Sequence, residues 1–318
     1  MRIGTLTASL RAECGFKGPT VSLRLSCAFA LILTLAPHLG EGQDTVKSLS
    51  NSEGAQGNAF VVAHQDDWQL FMGDVVAEAV KSGKPTTFIY LTAGDDGRDS
   101  FYWKTRETAA LSSTRLVVGF TARSDTTGCT AVAILEHTIR KCVIGNTRSF
   151  FLRLPDGRRD GTGFANHDHQ SMRRLRGGKI TSIAALDGST SYGSWKDLVA
   201  TVAALVPYTT SFPTLVSTTD PSIVVNPHDH YDHRIAGLLV EELRRQQHVA
   251  VRYYVGYALA TRADNRSNEQ ARLKTAIFAA YDQEMMRVNK KWSAYREHPA
   301  FYSECMLRTY AREPALTR

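Results

Sequence analysis

The sequence predicts an α/β protein, a mostly parallel sheet flanked by helices, with a β-rich insert and one long loop. Three observations carry that expectation. Ala59–Ala63 and Thr86–Thr92 are uniformly apolar runs of strand length, suited to burial on both faces. Between them Leu70, Val75, Val76, Ala79 and Val80 recur at helical spacing, so strand, helix and strand make a βαβ unit of roughly 35 residues. The alternation returns downstream: a helix over Trp195–Tyr208, a buried strand from Leu215–Ser217 with Ile223–Asn226, a helix over Ile235–Gln246 and a strand over Val249–Val255. That order is Rossmann-like.

In chain order, residues 1–42 stand apart. Arg2, Arg11, Lys17 and Arg24 precede the apolar run Leu25–Ala36, the basic-then-apolar order of a secretory signal, and the uncharged run is short for a membrane span. Cleavage is expected between Ala36 and Gln43, which leaves no stable membrane insertion and a secreted or extracytoplasmic protein; a retained signal anchor is the alternative. Residues 43–57, rich in Ser, Asn, Gly and Gln, read as a flexible lead. The folded domain is expected over residues 58–288. Residues 289–318, with Trp292, Tyr295, Phe301 and Tyr302, read as an extension packed on it.

Within the domain, Gly83 and Pro85 close the first helix. Ala93–Asp99 leaves the second strand as a polar, glycine-bearing loop, and Trp103–Val118 follows as a helix with Arg106 and Glu107 in its first turns. Thr130–Leu135, His137–Ile144 and Arg148–Leu154 are β-rich runs with no helix between them, the pattern of an antiparallel or irregular insert. Residues 155–192 form the long loop, which in a compact domain shapes a site or moves. Its His167 and His169 have the chemistry to bind a metal, although loop histidines are more often solvated or substrate-facing. Asn268–Arg287 is a long helix. Cys129 and Cys142 flank a hairpin-length segment and could pair in an oxidising compartment; reduced, buried thiols, Cys305 among them, are the equal alternative.

Hydrophobic residues make up 43% of the 318 residues and charged residues 22%, which gives an ordinary globular composition and speaks against disorder or a solenoid. The formal charge is +7, and about +5 once residues 1–42 and their four basic and two acidic side chains are removed. The excess is spread out without aromatic interleaving, so no nucleic-acid partner is expected. It would suit an anionic glycan or a cell wall, with solvated surface charge as the simpler explanation.

The chemistry concentrates at two strand ends. The first strand runs into His64-Gln65-Asp66-Asp67, where a strand end followed by a helix turn brings His64 and Asp67 together as two legs of a zinc or similar divalent site. Asp66 is left to face the opening as a general base. Alone, the two aspartates could equally be helix-capping carboxylates. About 165 residues on, a second strand gives way to His228-Asp229-His230-Tyr231-Asp232-His233. One of these histidines would supply a third ligand and leave an open coordination position, as catalytic zinc requires.

These motifs together resemble the PIG-L (LmbE-like) family of zinc-dependent N-acetylglucosamine deacetylases. Ala63-His64-Gln65-Asp66-Asp67 is similar to the family's Ala-His-Pro-Asp-Asp-Glu, and His230-Tyr231-Asp232-His233 to its His-x-Asp-His. Leu91-Thr92-Ala93-Gly94-Asp95, Arg106-Glu107, Leu154-Pro155-Asp156-Gly157 and the Lys274–Gln283 helix also resemble family features. The resemblance implies that His64, Asp67 and His233 hold Zn2+, with another divalent cation able to satisfy the same donors. It further implies that Asp66 is the general base and that His230, oriented by Asp232, stabilises the tetrahedral intermediate or protonates the leaving amine. Arg106 and Asp156 are expected to bind substrate. Two departures stand out: Gln65 replaces the family's proline, and Trp68 its glutamate, which offers an aromatic surface on which a sugar ring could stack. The expected reaction is removal of the acetyl group from an N-acetylglucosamine-type sugar or glycan. A metal-dependent esterase on the same site and a non-catalytic carbohydrate-binding relative are the alternatives.

Overall fold

Alternate residues of the first strand face opposite cores. Phe60 and Val62 of β1 (Asn58–Val62) pack into one hydrophobic cluster, while Ala59 and Val61 pack into the other. β2 (Thr86–Thr92) divides in the same way, with Phe88 and Tyr90 on one side and Ile89 and Leu91 on the other. A period of two that is apolar at both phases makes a strand covered on both faces, and helices supply the covers. The computed structural model describes residues 57–119, 127–206, 214–247 and 249–314. The expected signal and flexible lead lie outside them.

Among the described residues the main sheet has eight strands in the order β10 (Ala311–Arg312), β9 (Val249–Tyr254), β8 (Thr214–Thr219), β1, β2, β5 (Thr147–Leu154), β4 (His137–Ile144) and β3 (Thr127–Ile134). Its middle is parallel and is made of β1, β2, β5 (Thr147–Leu154), β8 (Thr214–Thr219) and β9 (Val249–Tyr254). β3 (Thr127–Ile134) and β4 (His137–Ile144) add an antiparallel meander to β5. The expected insert is thus a continuation of the main sheet. Cys129 and Cys142 face each other across β3 and β4 and form a disulfide, while Cys305 is a buried free thiol. A two-residue strand, β10 (Ala311–Arg312), pairs antiparallel with β9 at the other edge.

One face is covered by α1 (Asp67–Lys81), α2 (Ser100–Gly119) and α6 (Asn268–Val288), joined by α8 (Pro299–Met306). The other carries α3 (Met172–Arg176), α4 (Trp195–Leu205) and α5 (Tyr231–Gln246). The long loop is more structured than expected. It contains a 3-10 turn at Ala165–His167, α3 and the small hairpin of β6 (Ile183–Ala184) and β7 (Ser191–Tyr192). α7 (Ala294–Glu297) precedes α8. Lys274 of α6 is fully buried and donates to the carbonyls of Cys305 and Arg308 and to Thr309 Oγ1, tying the C-terminal segment to the helix; burial lowers its amine to about 8. Among the described residues no helix is long and apolar enough to cross a membrane.

Ile223–Asn226 is not strand. The Asp220 carboxylate accepts the Ser222 N–H at 2.9 Å and the Asn226 N–H bonds back to the Ser222 carbonyl, so a turn follows Pro221 and leaves Ile223 and Val224 exposed. β1 lies between β2, its successor in sequence, and β8, which the chain reaches only after crossing back. The carboxyl ends of β1 and β8 therefore flank a topological switch point, where open α/β sheets form their ligand crevice.

Candidate functional site

Residues from both strand ends meet in that crevice. His64 leaves β1 and Asp67 opens α1, and the His64 main-chain N–H donates to Asp67 Oδ2 at 2.9 Å. With that oxygen fixed, Asp67 Oδ1 stands 3.5 Å from His64 Nδ1 and 3.1 Å from His233 Nε2. The two imidazole nitrogens are 3.1 Å apart, although their residues are 169 positions apart in sequence. A tetrahedral ion with bonds of about 2.0–2.1 Å holds its donors roughly 3.3–3.4 Å from each other, so the separations fit a metal of zinc size. All three residues are buried, and their donor atoms form one of two groups among the described residues that could hold a metal ion. The capping alternative fails at Asp66, which occupies the N-cap position of α1 without a side-chain capping bond.

The electrostatics point the same way. Burial works to lower the His233 imidazole, but the Asp67 and Asp229 carboxylates outweigh it and hold it up at about 10. His64 is likewise raised against burial by Asp67 and Asp232, and Asp67 is pulled well below the carboxylate range by the two histidines. Carboxylates set against both imidazoles give the site the negative potential that a cation needs. Asp229 accepts from His233 Nδ1 at 2.9 Å, which leaves Nε2 free as the donor facing the triad. Sequence reasoning missed Asp229; its signal was a carboxylate one helical turn before a candidate ligand.

His230 is the N-cap of α5, and its Nδ1 accepts the Asp232 backbone N–H at 3.2 Å. The proton of the neutral ring therefore sits on Nε2, and burial together with His64 and His233 pushes the imidazole far below its usual range. This changes the expected part of Asp232. Its carboxylate accepts the Gly157 N–H at 2.7 Å and approaches His64 Nε2 at 3.6 Å, so it orients His230 through the main chain and not through a carboxylate–imidazole bond. A Cβ on Gly157 would meet Asp232 Oδ1 at 2.5 Å, which explains the glycine.

Asp156 lies beside these groups, its Oδ2 3.5 Å from His64 Nε2 and its Oδ1 3.6 Å from His230 Nε2. Burial, with help from Asp232, raises its carboxyl to about 6. His64, Asp156, His230 and Asp232 are the second group with metal-binding potential, and it shares His64 through the ring's other nitrogen. His167 and His169 belong to neither group. His167 Nε2 bonds Asp95 at 2.8 Å, His169 Nδ1 bonds the Gly163 carbonyl, and His228 is exposed in the turn before α5.

One expected substrate contact is corrected, and a second has protein partners of its own. Arg106 is buried, and its guanidinium donates to Asp66, to the Gly94 carbonyl at 2.7 Å and to the Tyr281 hydroxyl at 2.7 Å. It holds Asp66 at the crevice. Gly94, at φ 56°, admits this clamp, because a Cβ there would lie 2.6 Å from the guanidinium. Trp68 is fully buried, packs on Phe88 and donates its indole N–H to Tyr90 at 2.9 Å, so no sugar can stack on it. Gln65 Nε2 donates to the Thr92 carbonyl at 2.8 Å and joins the ends of β1 and β2 where proline could not.

Fold and site together define an α/β protein whose switch-point crevice holds a candidate histidine–aspartate metal centre. Residues 59–243 match the family model described as PIG-L, GlcNAc-PI de-N-acetylase, and since this is more than half of the chain, the protein belongs to that deacetylase family. No curated protein matches it. Among solved structures it is similar to N,N'-diacetylchitobiose deacetylase from Pyrococcus horikoshii, at 14% identity over 81% of this chain and 82% of that one, with a TM-score of 0.42. It is also similar to 4-carboxy-2-hydroxymuconate hydratase from Pseudomonas putida, at 13% identity over 78% and 82%, with a TM-score of 0.38. A deacetylase of teicoplanin biosynthesis matches at 14% identity over 82% and 100%, with a TM-score of 0.43.

Proposed function

We propose that this chain is an exported, zinc-dependent hydrolase that removes the N-acetyl group from an N-acetylglucosamine-type sugar or glycan. One observation carries the reading. Three buried donors, His64 Nδ1, Asp67 Oδ1 and His233 Nε2, converge within 3.5 Å of one another, and the groups beside them that keep solvent access are Asp66, 15% exposed, and His230, 13%. Amide hydrolysis needs that division of labour between buried ligands and reachable proton-handling groups.

His64, Asp67 and His233 would hold the ion. Bound there, it supplies Lewis acidity to the amide carbonyl and lowers the pKa of water. Asp66, held by Arg106, takes the proton of the attacking water. His230, fixed as an Nε2–H donor, stabilises the oxyanion as the carbonyl carbon becomes tetrahedral. Asp66 then returns its proton to the departing nitrogen, which leaves acetate and the free amine. Export is supported by the basic-then-apolar amino terminus and by the Cys129–Cys142 disulfide, a bond that persists in oxidising compartments.

The test is metal analysis of purified protein combined with acetate release from N-acetylglucosamine compounds. Stoichiometric zinc and acetate release are expected. Bound metal with no acetate from any amino sugar would point to a sugar-binding relative, and faster cleavage of esters than amides to an esterase. A narrower expectation concerns Arg106. Arg106→Lys should lower acetate release roughly 10- to 100-fold at unchanged metal content, because an ammonium cannot span Asp66, Gly94 and Tyr281 as the fork does. Undiminished turnover in that variant would show that Asp66 needs no clamp.

A further inference from the structure

We propose that the cavity walled by Arg98 and residues 289–297 is a subsite for an anionic saccharide unit next to the acetylated sugar; that placement rests on the deacetylase reading. The cavity holds about 520 Å3, within the range of small-ligand sites. Its walls include Arg98, Lys290, Lys291, Trp292, Arg296 and Glu297. Arg98 pairs with Asp96 at 3.1 Å, but Lys290, Lys291 and Arg296 are exposed and make no ion pair among the described residues. Three unpaired cations against one lining carboxylate give the cavity a positive potential that attracts an anion.

The backbone that carries the cations is anchored. Lys290–Trp292 is a 3-10 turn capped by Asn289, whose Oδ1 accepts the Lys291 N–H at 3.0 Å, and Ser293 Oγ donates to the buried Asp282 at 2.7 Å, pinning the turn to α6. Trp292 stays partly exposed and packs on Tyr102 at 5.1 Å and on Phe101 at 5.6 Å, the latter 61% exposed. Aromatic faces beside cations suit a sugar ring that bears a carboxylate or phosphate.

The loop leaving β2 connects the cavity to the candidate active site. The Arg98 N–H donates to the Asp95 carbonyl at 2.8 Å, and Asp95 Oδ1 accepts the Asp156 N–H at 2.8 Å, beside His230. One loop thus forms a wall of the cavity and a support of the catalytic cluster. Lys290, Lys291 and Arg296 lie beyond residue 243, outside the segment that matches the family model, whereas Arg98 lies within it.

The experiment measures equilibrium binding of the full chain to three probes at low and high salt. They are the neutral N-acetylglucosamine tetramer, a hyaluronan tetramer carrying carboxylates on the units next to N-acetylglucosamine, and an N-acetylglucosamine tetramer phosphorylated on an inner unit. A charged probe should bind on the order of tenfold more tightly than the neutral tetramer, with the advantage shrinking at high salt. Which charged probe gains more tells carboxylate from phosphate. Lys290→Ser/Lys291→Ser/Arg296→Ser should abolish the preference while the thermal transition stays in place. Equal binding of charged and neutral probes by the wild type would overturn the proposal, as would a preference that survives the triple substitution or full displacement by an oligothymidylate. Acetate release is scored separately. Charge preference without turnover would sink the deacetylase reading alone, and turnover without charge preference would sink the subsite alone.

Discussion

Replacing Asp66 with asparagine is expected to slow acetate release roughly a thousandfold while the metal stays bound. The substitution separates two parts that Asp66 could play. Asparagine has the same size and still accepts from Arg106, so a residue that served only to hold the guanidinium would be replaced with little loss. It cannot take a proton at neutral pH, so a general base would be lost altogether. Full acetate release by Asp66→Asn with metal still bound would remove Asp66 from the mechanism. Since Asp66 contributes no atom to the three-donor cluster, a fall in metal content is not expected.

The second large effect concerns His233. His233→Ala should abolish retained metal and acetate release together, because two donors remain where three converged and the buried Asp67 carboxylate loses its nearest charged neighbour. Asp229→Asn is the graded companion. It keeps all three donors but weakens the bond that fixes the His233 ring, and a loss of about 10- to 100-fold in metal affinity is expected. Metal titration of the two variants checks both. If His233→Ala bound zinc as tightly as the wild type, the His64–Asp67–His233 centre would be wrong, and the group formed by His64, Asp156, His230 and Asp232 would take its place.

Much of this arrangement was legible in the sequence because it rests on local patterns. β1 and β2 announce themselves as apolar at both phases, His64 and Asp67 fall where β1 gives way to α1, and His233 lies in the His-x-Asp-His run that opens α5. What escaped depends on how elements lie against one another. By residue type Trp68 suits a sugar platform, but the first two turns of α1 are buried on every side, and sequence gives the helical period without showing how much of the circumference is covered. Asp229 and Arg106 could be given their parts only once tertiary packing had shown which partners they face. Asp232 illustrates a subtler failure, since its residue type suited pairing with His230, yet a backbone N–H reached the ring nitrogen first. Ile223–Asn226 has strand composition, and the side chain of Asp220 turns it into a bend.

The two borders of the sheet bear on how the protein behaves at high concentration. A long open border offers unpaired amide and carbonyl groups to another molecule and invites self-association. Here β10 covers the Tyr253–Tyr254 end of β9, and its two residues are too few to template a further strand. At the far border, the Cys129–Cys142 bond keeps β3 on β4, but the outer side of this eight-residue, uncharged strand pairs with no other strand among the described residues. Molecules crowded together therefore meet their longest open ladder at β3, the border where joining sheet to sheet is expected.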